Sequence, residues 1–342
     1  MTAWRLAVPL ALGAALVIVA SLRPAAPADS PADTSERFEV NAMEYPWSAI
    51  GRVNVGGRAH CTGFLIGERA VLTAAHCLYD PIEGRWRGPG EIHFVAGYQR
   101  DTYLIHSPVR AYDRDRRFDY ADGATTQNAV VDWAILELEQ PIGRQAGWLG
   151  LQPLDDGLAE QLRQGGAQLV QAGYRKGQSH IMSVNLDCKI VGSFRGDAGI
   201  LHSCHLAKGD SGSPLLVIAG DEFQVAGLHV INTRTKDGDT AGALSMALFQ
   251  PGPGAPQAVA AARRGGATWG RGQAPAEGGS AAPVPLRTID RMLLTLGLLA
   301  ASQDADPAAR REAISAFQAK AGLPVTGEAS VALLGRLILA VP

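Results

Sequence analysis

Between Phe38 and Phe249 the apolar residues come in short runs, alternating or continuous, separated by Gly, Pro, Asn and Asp. The clearest are Trp47 to Val55, Cys61 to Ile66, Ile92 to Gly97, Val130 to Leu138, Gln168 to Gly173, Pro214 to Ile218 and Gln224 to Ile231. Short runs bounded by turn formers predict β-strands, and many in series predict an all-β barrel or sandwich. Asp113 to Asn128 is dense in charge and shows neither strand nor helix period, so it is predicted as a surface loop.

The pattern changes past Phe249. Over 251–283 Pro, Gly and Ala dominate, and too few large apolar residues remain to offset ordering, so a flexible linker is expected. Over 284–342 the period becomes helical, with Leu286, Ile289, Leu293, Leu296 and Ala300 on one face. Asp306 suits an N-cap, Pro307 the first helical position and Gly322 the place just past the end, with Ile314, Phe317 and Ala321 facing inward. Leu333, Leu334, Leu337 and Ile338 predict a third helix. The segment is a small three-helix domain near the lower size limit for folding without staples.

At the other end, Arg5 precedes an apolar run from Leu6 to Leu22, followed by a Pro/Ala/Asp-rich stretch to Asp33. Residues 1–28 read as an export signal with a small-x-small site at Ala26-Pro27-Ala28, and 29–37 as a linker or propeptide. The rival reading is an uncleaved membrane anchor through residues 6–22, which approaches the ~20 residues that span a bilayer. Either way the bulk of the chain is exported, to the periplasm, the cell envelope or the medium.

The 342 residues suffice for two domains, and a formal net charge of -2 without a basic stripe excludes nucleic acid as a partner. Four cysteines, Cys61, Cys77, Cys188 and Cys204, imply disulfides in an exported chain, with three pairings open. Pairing nearest neighbours joins Cys61 to Cys77 and Cys188 to Cys204, each loop worth roughly 3 kcal/mol in the chain-entropy model. A zinc site from His60, Cys61, His76 and Cys77 lacks the usual ligand spacing. No metal and no organic cofactor are implied.

Three segments carry chemistry. In Leu72-Thr73-Ala74-Ala75-His76-Cys77 a histidine sits among small residues beside a cysteine. Asp132 directly precedes the strand-like Trp133 to Leu138, where an acid is costly to bury unless an imidazole N–H or similar partner meets it. In Gly209-Asp210-Ser211-Gly212-Ser213-Pro214 the glycines allow an unusual turn that aims the N–H groups of Gly209 and Ser211 at one point, an oxyanion hole. Each alone has a plainer reading: a core histidine, a turn aspartate, a Gly/Ser turn.

Together they resemble the chymotrypsin-like serine peptidases, in the order His, Asp, Ser; α/β-hydrolases place the serine first and want glycine where Ser213 stands. The resemblance covers a domain of residues 38–250. It implies two six-stranded antiparallel β-barrels with the active site between them, and a serine endopeptidase acting on protein or peptide substrates through an acyl-enzyme. His76 would be the base, Asp132 its orienting acid and Ser211 the nucleophile. The bacterial glutamyl-endopeptidase-like branch is nearest, on Tyr45-Pro46-Trp47-Ser48-Ala49-Ile50-Gly51, Cys61-Thr62-Gly63-Phe64-Leu65-Ile66 and Gly227-Leu228-His229. Members with glutamate specificity use a histidine matching His229 and a hydroxyl residue where Leu206 stands, and carry glycines where this chain has Val230-Ile231-Asn232. Those departures argue against a glutamate pocket, and His205 at the pocket floor supplies no acid for a Lys or Arg preference. Members also become active when a new N-terminus inserts beside the site, which makes the bond between Arg37 and Phe38 a candidate cut.

The stretch from Arg311 to Gly327, with Phe317-Gln318, Gly322-Leu323 and Thr326-Gly327, resembles the small three-helix peptidoglycan-binding domain. That implies a peptidoglycan partner; the alternative is a helical module that docks on the protease or regulates it. Other readings of the whole are a catalytically silent wall-binding or scaffold protein on a protease fold, or an esterase or self-processing enzyme.

Overall fold

The strand expected at Trp47 to Val55 starts three residues late, because Trp47–Ala49 close a 3-10 turn that buries the indole. β1 is Phe38–Glu39, and β2, Ile50–Val55, follows that turn. A Gly56-Gly57 turn returns the chain into β3, Ala59–Leu65, which pairs with β2 from Ile50 opposite Phe64 to Val55 opposite Ala59. β4, Ala70–Thr73, and the short ribbon of β5, Tyr79–Asp80, with β6, Arg85–Trp86, precede β7, Ile92–Ala96. β8 is Ile105–Arg114 and β9 Ala134–Leu138. The computed structural model describes Met1 and residues 37–342 except 187, 236–237, 251–259, 261, 264–265, 267–271, 276–283, 301–304 and 342, and the side chains of 233–239 are not described either.

In it β2-β3-β4-β9-β8-β7 close into a barrel, filled by side chains such as Ile50, Val53, Phe64, Leu72, Phe94 and Leu136, all fully buried. Two one-turn helices, α1 Thr126–Ala129 and α2 Gly143–Ala146, flank its last strand, and α3, Asp156–Arg163, opens the next half.

That half contains β10 Gly150–Leu151, β11 Ala167–Gly173, β12 Ser183–Asn185, β13 Ile190–Phe194, β14 Gly199–His202, β15 Pro214–Ala219, β16 Glu222–Thr235 and β17 Gly238–Ser245. Here the expected second six-stranded barrel is not closed among the described residues. The strands form a nine-stranded sheet in the order β1-β12-β11-β15-β16-β17-β14-β13, with β10 added parallel to β16. The middle six make the expected antiparallel run; β1 and β13 extend its ends and are not paired with each other among the described residues.

Three helices follow: α4 Leu286–Thr295, α5 Pro307–Lys320 and α6 Val331–Ile338. Asp306 caps α5 by accepting the Ala309 N–H, Pro307 takes the first position, and Gly322 lies past the end at φ +66°. Ala321 is exposed, contrary to expectation, because α5 turns Ala313, Ile314, Phe317 and Gln318 inward instead. Gln318 accounts for much of the wall-domain motif structurally. Its Oε1 accepts the N–H groups of Thr326 and Gly327 at 2.9 Å, and its Nε2 donates to Thr326 Oγ1 at 2.9 Å.

These helices are packed on the sheet. Ser35–Pro342 forms one compact unit, and α6 lies against β11 and β15. α4 has no side-chain cap of its own at Pro285; the buried Glu44 carboxylate accepts the N–H groups of Arg287 at 2.8 Å and Thr288 at 3.3 Å. Arg310 holds Asp290 with two 2.6 Å bonds, joining α5 to α4. Most of the linker expected at 251–283 and all of the leader over residues 2–36 fall outside the described residues. Within the linker, Ala262 is buried and Gln273 bridges to Trp148.

Candidate active site

Thr73, the last residue of β4, pairs with Ala134, the first of β9. The chain leaving β4 therefore meets the chain entering β9, which is where His76 and Asp132 stand. His76 lies on a 3-10 turn, Ala75–Leu78. Asp132, 5% exposed, places Oδ2 2.6 Å from His76 Nδ1, and its Oδ1 accepts the His76 backbone N–H at 2.8 Å. The carboxylate thus fixes both ring and backbone, and with the proton on Nδ1 the basic nitrogen is Nε2. Burial opposes protonation of His76, but the charge of Asp132 and its hydrogen bond outweigh it and raise the imidazole above its ordinary value.

A testable pH dependence follows. Only neutral His76 can accept a proton, so reactivity of Ser211 toward a fluorophosphonate should fall as pH drops through a pKa above the ordinary ~6.5. Asp132→Asn removes the charge that raises the pKa and leaves burial, so the acid limb should move to lower pH while the rate falls by about 10⁴-fold. Labelling rates from about pH 5 to about pH 9 would show it; an unmoved limb would separate Asp132 from the titration.

Ser211 lies on the loop between β14 and β15. Gly209 and Gly212 flank it at φ +96° and +80°, and a Cβ would strike the Tyr174 carbonyl oxygen at the first and the Thr62 carbonyl oxygen at the second. The first barrel grips this loop through Thr62, whose N–H donates to Ser211 O and whose hydroxyl donates to Gly209 O, both at 2.9 Å. Gly212 N donates to His229 O at 2.8 Å and Ser213 N to Asp210 O at 2.9 Å. The N–H groups of Gly209 and Ser211, by contrast, donate to nothing among the described residues.

Ser211 O lies 4.0 Å from Cys77 Sγ, next in the chain to His76. The half-buried Ser211 hydroxyl makes no hydrogen bond to His76 here, a contact that is often long until the reactant binds. Cys61–Cys77 and Cys188–Cys204 are both bonded. The sulfurs of the alternative zinc site are therefore joined to each other.

Asp210, fully buried beside Ser211, meets a partner that the sequence did not suggest. Arg37, assigned to the segment ahead of the domain, sends Nη1 to Asp210 Oδ1 and Oδ2 at 2.9 and 2.8 Å. The two residues are 173 apart, and no local pattern links them.

The three specificity positions differ in exposure. His205 is exposed and Leu206 half-buried, and Asn232 joins the Leu206 carbonyl to β16. His229 is buried on β16, edge-on to His202 with ring centroids 5.9 Å apart. Both nitrogens of His202 and Nδ1 of His229 lack partners among the described residues. Burial pushes His202 down to about 3, and burial followed by the neighbouring His202 holds His229 well below the ordinary range. His202 is thus a fully buried histidine whose ring nitrogens are unsatisfied among the described residues.

Beside His76 and Asp132 opens a pocket of about 250 Å³, walled by Phe118, Tyr120, Val230 and Ile231. The charged segment expected as a surface loop supplies two of these walls. Asn128 shapes it by donating to the carbonyls of Asp119 and Gly123, and Tyr120 stacks on Tyr79.

The profile of the Trypsin family matches residues 36–247, more than half of the chain. The chain belongs to the trypsin family. Within this trypsin-family chain, 110 residues are 30% identical to a glutamyl endopeptidase of Bacillus licheniformis, over 32% of this chain and 32% of that protein. Serine protease 23 of Rattus norvegicus is 28% identical over 129 residues, 32% of each chain. A trypsin of Phaedon cochleariae is 32% identical over 73 residues, 18% of this chain and 27% of the other. The chain spans about a third or less of the length of these relatives. A solved structure of a Glu endopeptidase in complex with MPD superposes with a TM-score of 0.48 at 18% identity, covering 61% of this chain and 90% of that one.

Proposed function

We propose that this chain is a serine endopeptidase in which Ser211 attacks the scissile carbonyl and His76 Nε2 takes its proton. His76 then passes that proton to the leaving amine, Asp132 stabilises the imidazolium, and water hydrolyses the acyl-enzyme. The N–H groups of Gly209 and Ser211 would receive the oxyanion. One observation carries the reading: the doubly bonded His76–Asp132 pair stands beside a serine turn with two unengaged N–H groups. Covalent labelling of the intact chain at Ser211 by a fluorophosphonate tests it against the silent-scaffold reading, since only an activated serine reacts. Membership of the trypsin family and the match to the Bacillus enzyme support peptide bonds over esters. The two disulfides support an oxidising, extracytoplasmic setting.

The pocket beside His76 would take an apolar side chain of the substrate, on the acyl side of the cut bond. In a peptide library, cleavage should favour an aliphatic or aromatic residue next to the residue at the bond, and Ile231→Asp should reduce that preference by roughly 10-fold or more. Indifference of the library to that position would remove the pocket from substrate binding.

For the C-terminal helices, the motif around Phe317 supports wall binding, whereas the contacts of α6 with β11 and β15 and the cap from Glu44 support a brace on the protease. We take the brace as the better supported role.

A further inference from the structure

We infer that Arg37 is a positioning residue whose guanidinium holds the Ser211 loop in working shape, so that no cut between residues 37 and 38 and no freed amine is needed. This rests on the reading of Ser211 as nucleophile. A carboxylate buried as fully as Asp210 must be paired or it destabilises its surroundings. Its partner is as deeply buried: the Arg37 side chain is 1% exposed. Nη1 grips both carboxylate oxygens, while Nη2 donates to Gln171 Oε1 at 2.9 Å on β11 and to Ser183 O at 2.8 Å on β12. A planar fork holds these acceptors on two separate nitrogens in a fixed spread, whereas an ammonium offers its donors from a single nitrogen.

The effect passes directly to the catalytic turn. Asp210 Oδ2 accepts the Ala207 N–H at 3.0 Å, and Asp210 O accepts that of Ser213. Gln171 Nε2 reaches Ser213 Oγ at 2.9 Å. The carboxylate is therefore the post around which 207–213 bends, and its neighbours Gly209 and Ser211 in that bend keep N–H groups unengaged among the described residues. Cutting after Arg37 would carry the guanidinium away, and the Phe38 amine it frees would have to take its place on Asp210.

The chemistry of the cation gives a direct readout. A guanidinium stays charged above pH ~12, whereas an α-amine discharges near ~8. The ionisable neighbours do not interfere: His60 acts on Asp210 and His229 on Arg37, and burial holds both below the ordinary imidazole range, so neither changes charge in the alkaline region.

The test compares fluorophosphonate labelling of the full chain, Arg37→Ala, Arg37→Lys and a chain beginning at Phe38. The full chain should label with a rate that stays level up to about pH 10, past the range where an amine would fail. Arg37→Ala should label about 100-fold more slowly. Arg37→Lys, which keeps the charge and guards against simple unfolding, should recover part of that loss, and the chain from Phe38 should be the poorer enzyme. Parental labelling by Arg37→Ala overturns the inference. So does a chain from Phe38 that labels faster than the full chain, with a rate that falls as pH rises through about 8; the Ser211 reading would survive both. Absence of labelling in every form would instead overturn the proposed function, and this inference with it.

Discussion

Ser211→Ala should abolish fluorophosphonate labelling and lower kcat for peptide hydrolysis on the order of 10⁶-fold, with KM little changed. The size follows from chemistry that nothing else in the site can replace. A hydroxyl is a poor nucleophile until a base takes its proton, and the remaining groups bind and polarise the carbonyl without attacking it. The unengaged N–H groups of Gly209 and Ser211 would remain after the substitution, so a residual rate about 10³- to 10⁴-fold over water should persist. His76→Ala should cost nearly as much, and the double variant no more than either alone, because serine and histidine act as a unit. Stability should hold within about 0.5 kcal/mol, since the half-buried Ser211 hydroxyl holds no hydrogen bond among the described residues. Measuring kcat, KM and Tm on the same preparations separates loss of chemistry from loss of fold. A Ser211→Ala chain that cleaves peptides at the parental rate would mean the nucleophile lies elsewhere.

What the sequence revealed and what it concealed differ by range. Strands of the first barrel, the caps of α5 and the segments bearing His76, Asp132 and Ser211 all leave local marks: an alternation, an Asp-Pro pair, glycines about a serine. The Arg37–Asp210 pair leaves none, because its partners are separated by most of the domain and the arginine sits next to a stretch with no strand signal. His202 was concealed for another reason. It occupies a core position of β14, and only the tertiary packing strips its nitrogens of partners. Ala321 was misjudged by extending the inward face of α5 one turn too far, past the point where the chain turns away toward Gly322. The tail sequence predicted helices and left their destination open. Leu333, Leu334, Leu337 and Ile338 form an apolar face whether they close a free-standing bundle or cover a sheet, and periodicity cannot distinguish the two.

Ending the chain before Val284 should therefore destabilise what remains, rather than merely remove an arm. α6 covers β11 and β15: Gly335 is packed so closely on Gln168 that a Cβ would strike its Oε1, and Asp221 accepts the Ala332 N–H at 3.2 Å. Baring a few hundred Å² of that sheet, at about 25 cal/mol per Å², amounts to several kcal/mol, which for a domain of this size lowers Tm by roughly 10 °C. Glu44→Ala should reproduce part of this, about 1 kcal/mol, by uncapping α4. Its carboxyl also gives the docking a pH dependence. Burial raises the Glu44 pKa against the lowering effect of its hydrogen bonds, so protonation favours the docked fold. That contribution is complete below the pKa of the unfolded chain and is lost as pH rises through the folded value, and Glu44→Gln should flatten it. A detachable wall-binding arm predicts otherwise: a shortened chain that melts like the full one and loses only its retention on purified peptidoglycan. Calorimetry of the two chains decides between them, because a brace and a tether differ in whether the protease feels the loss.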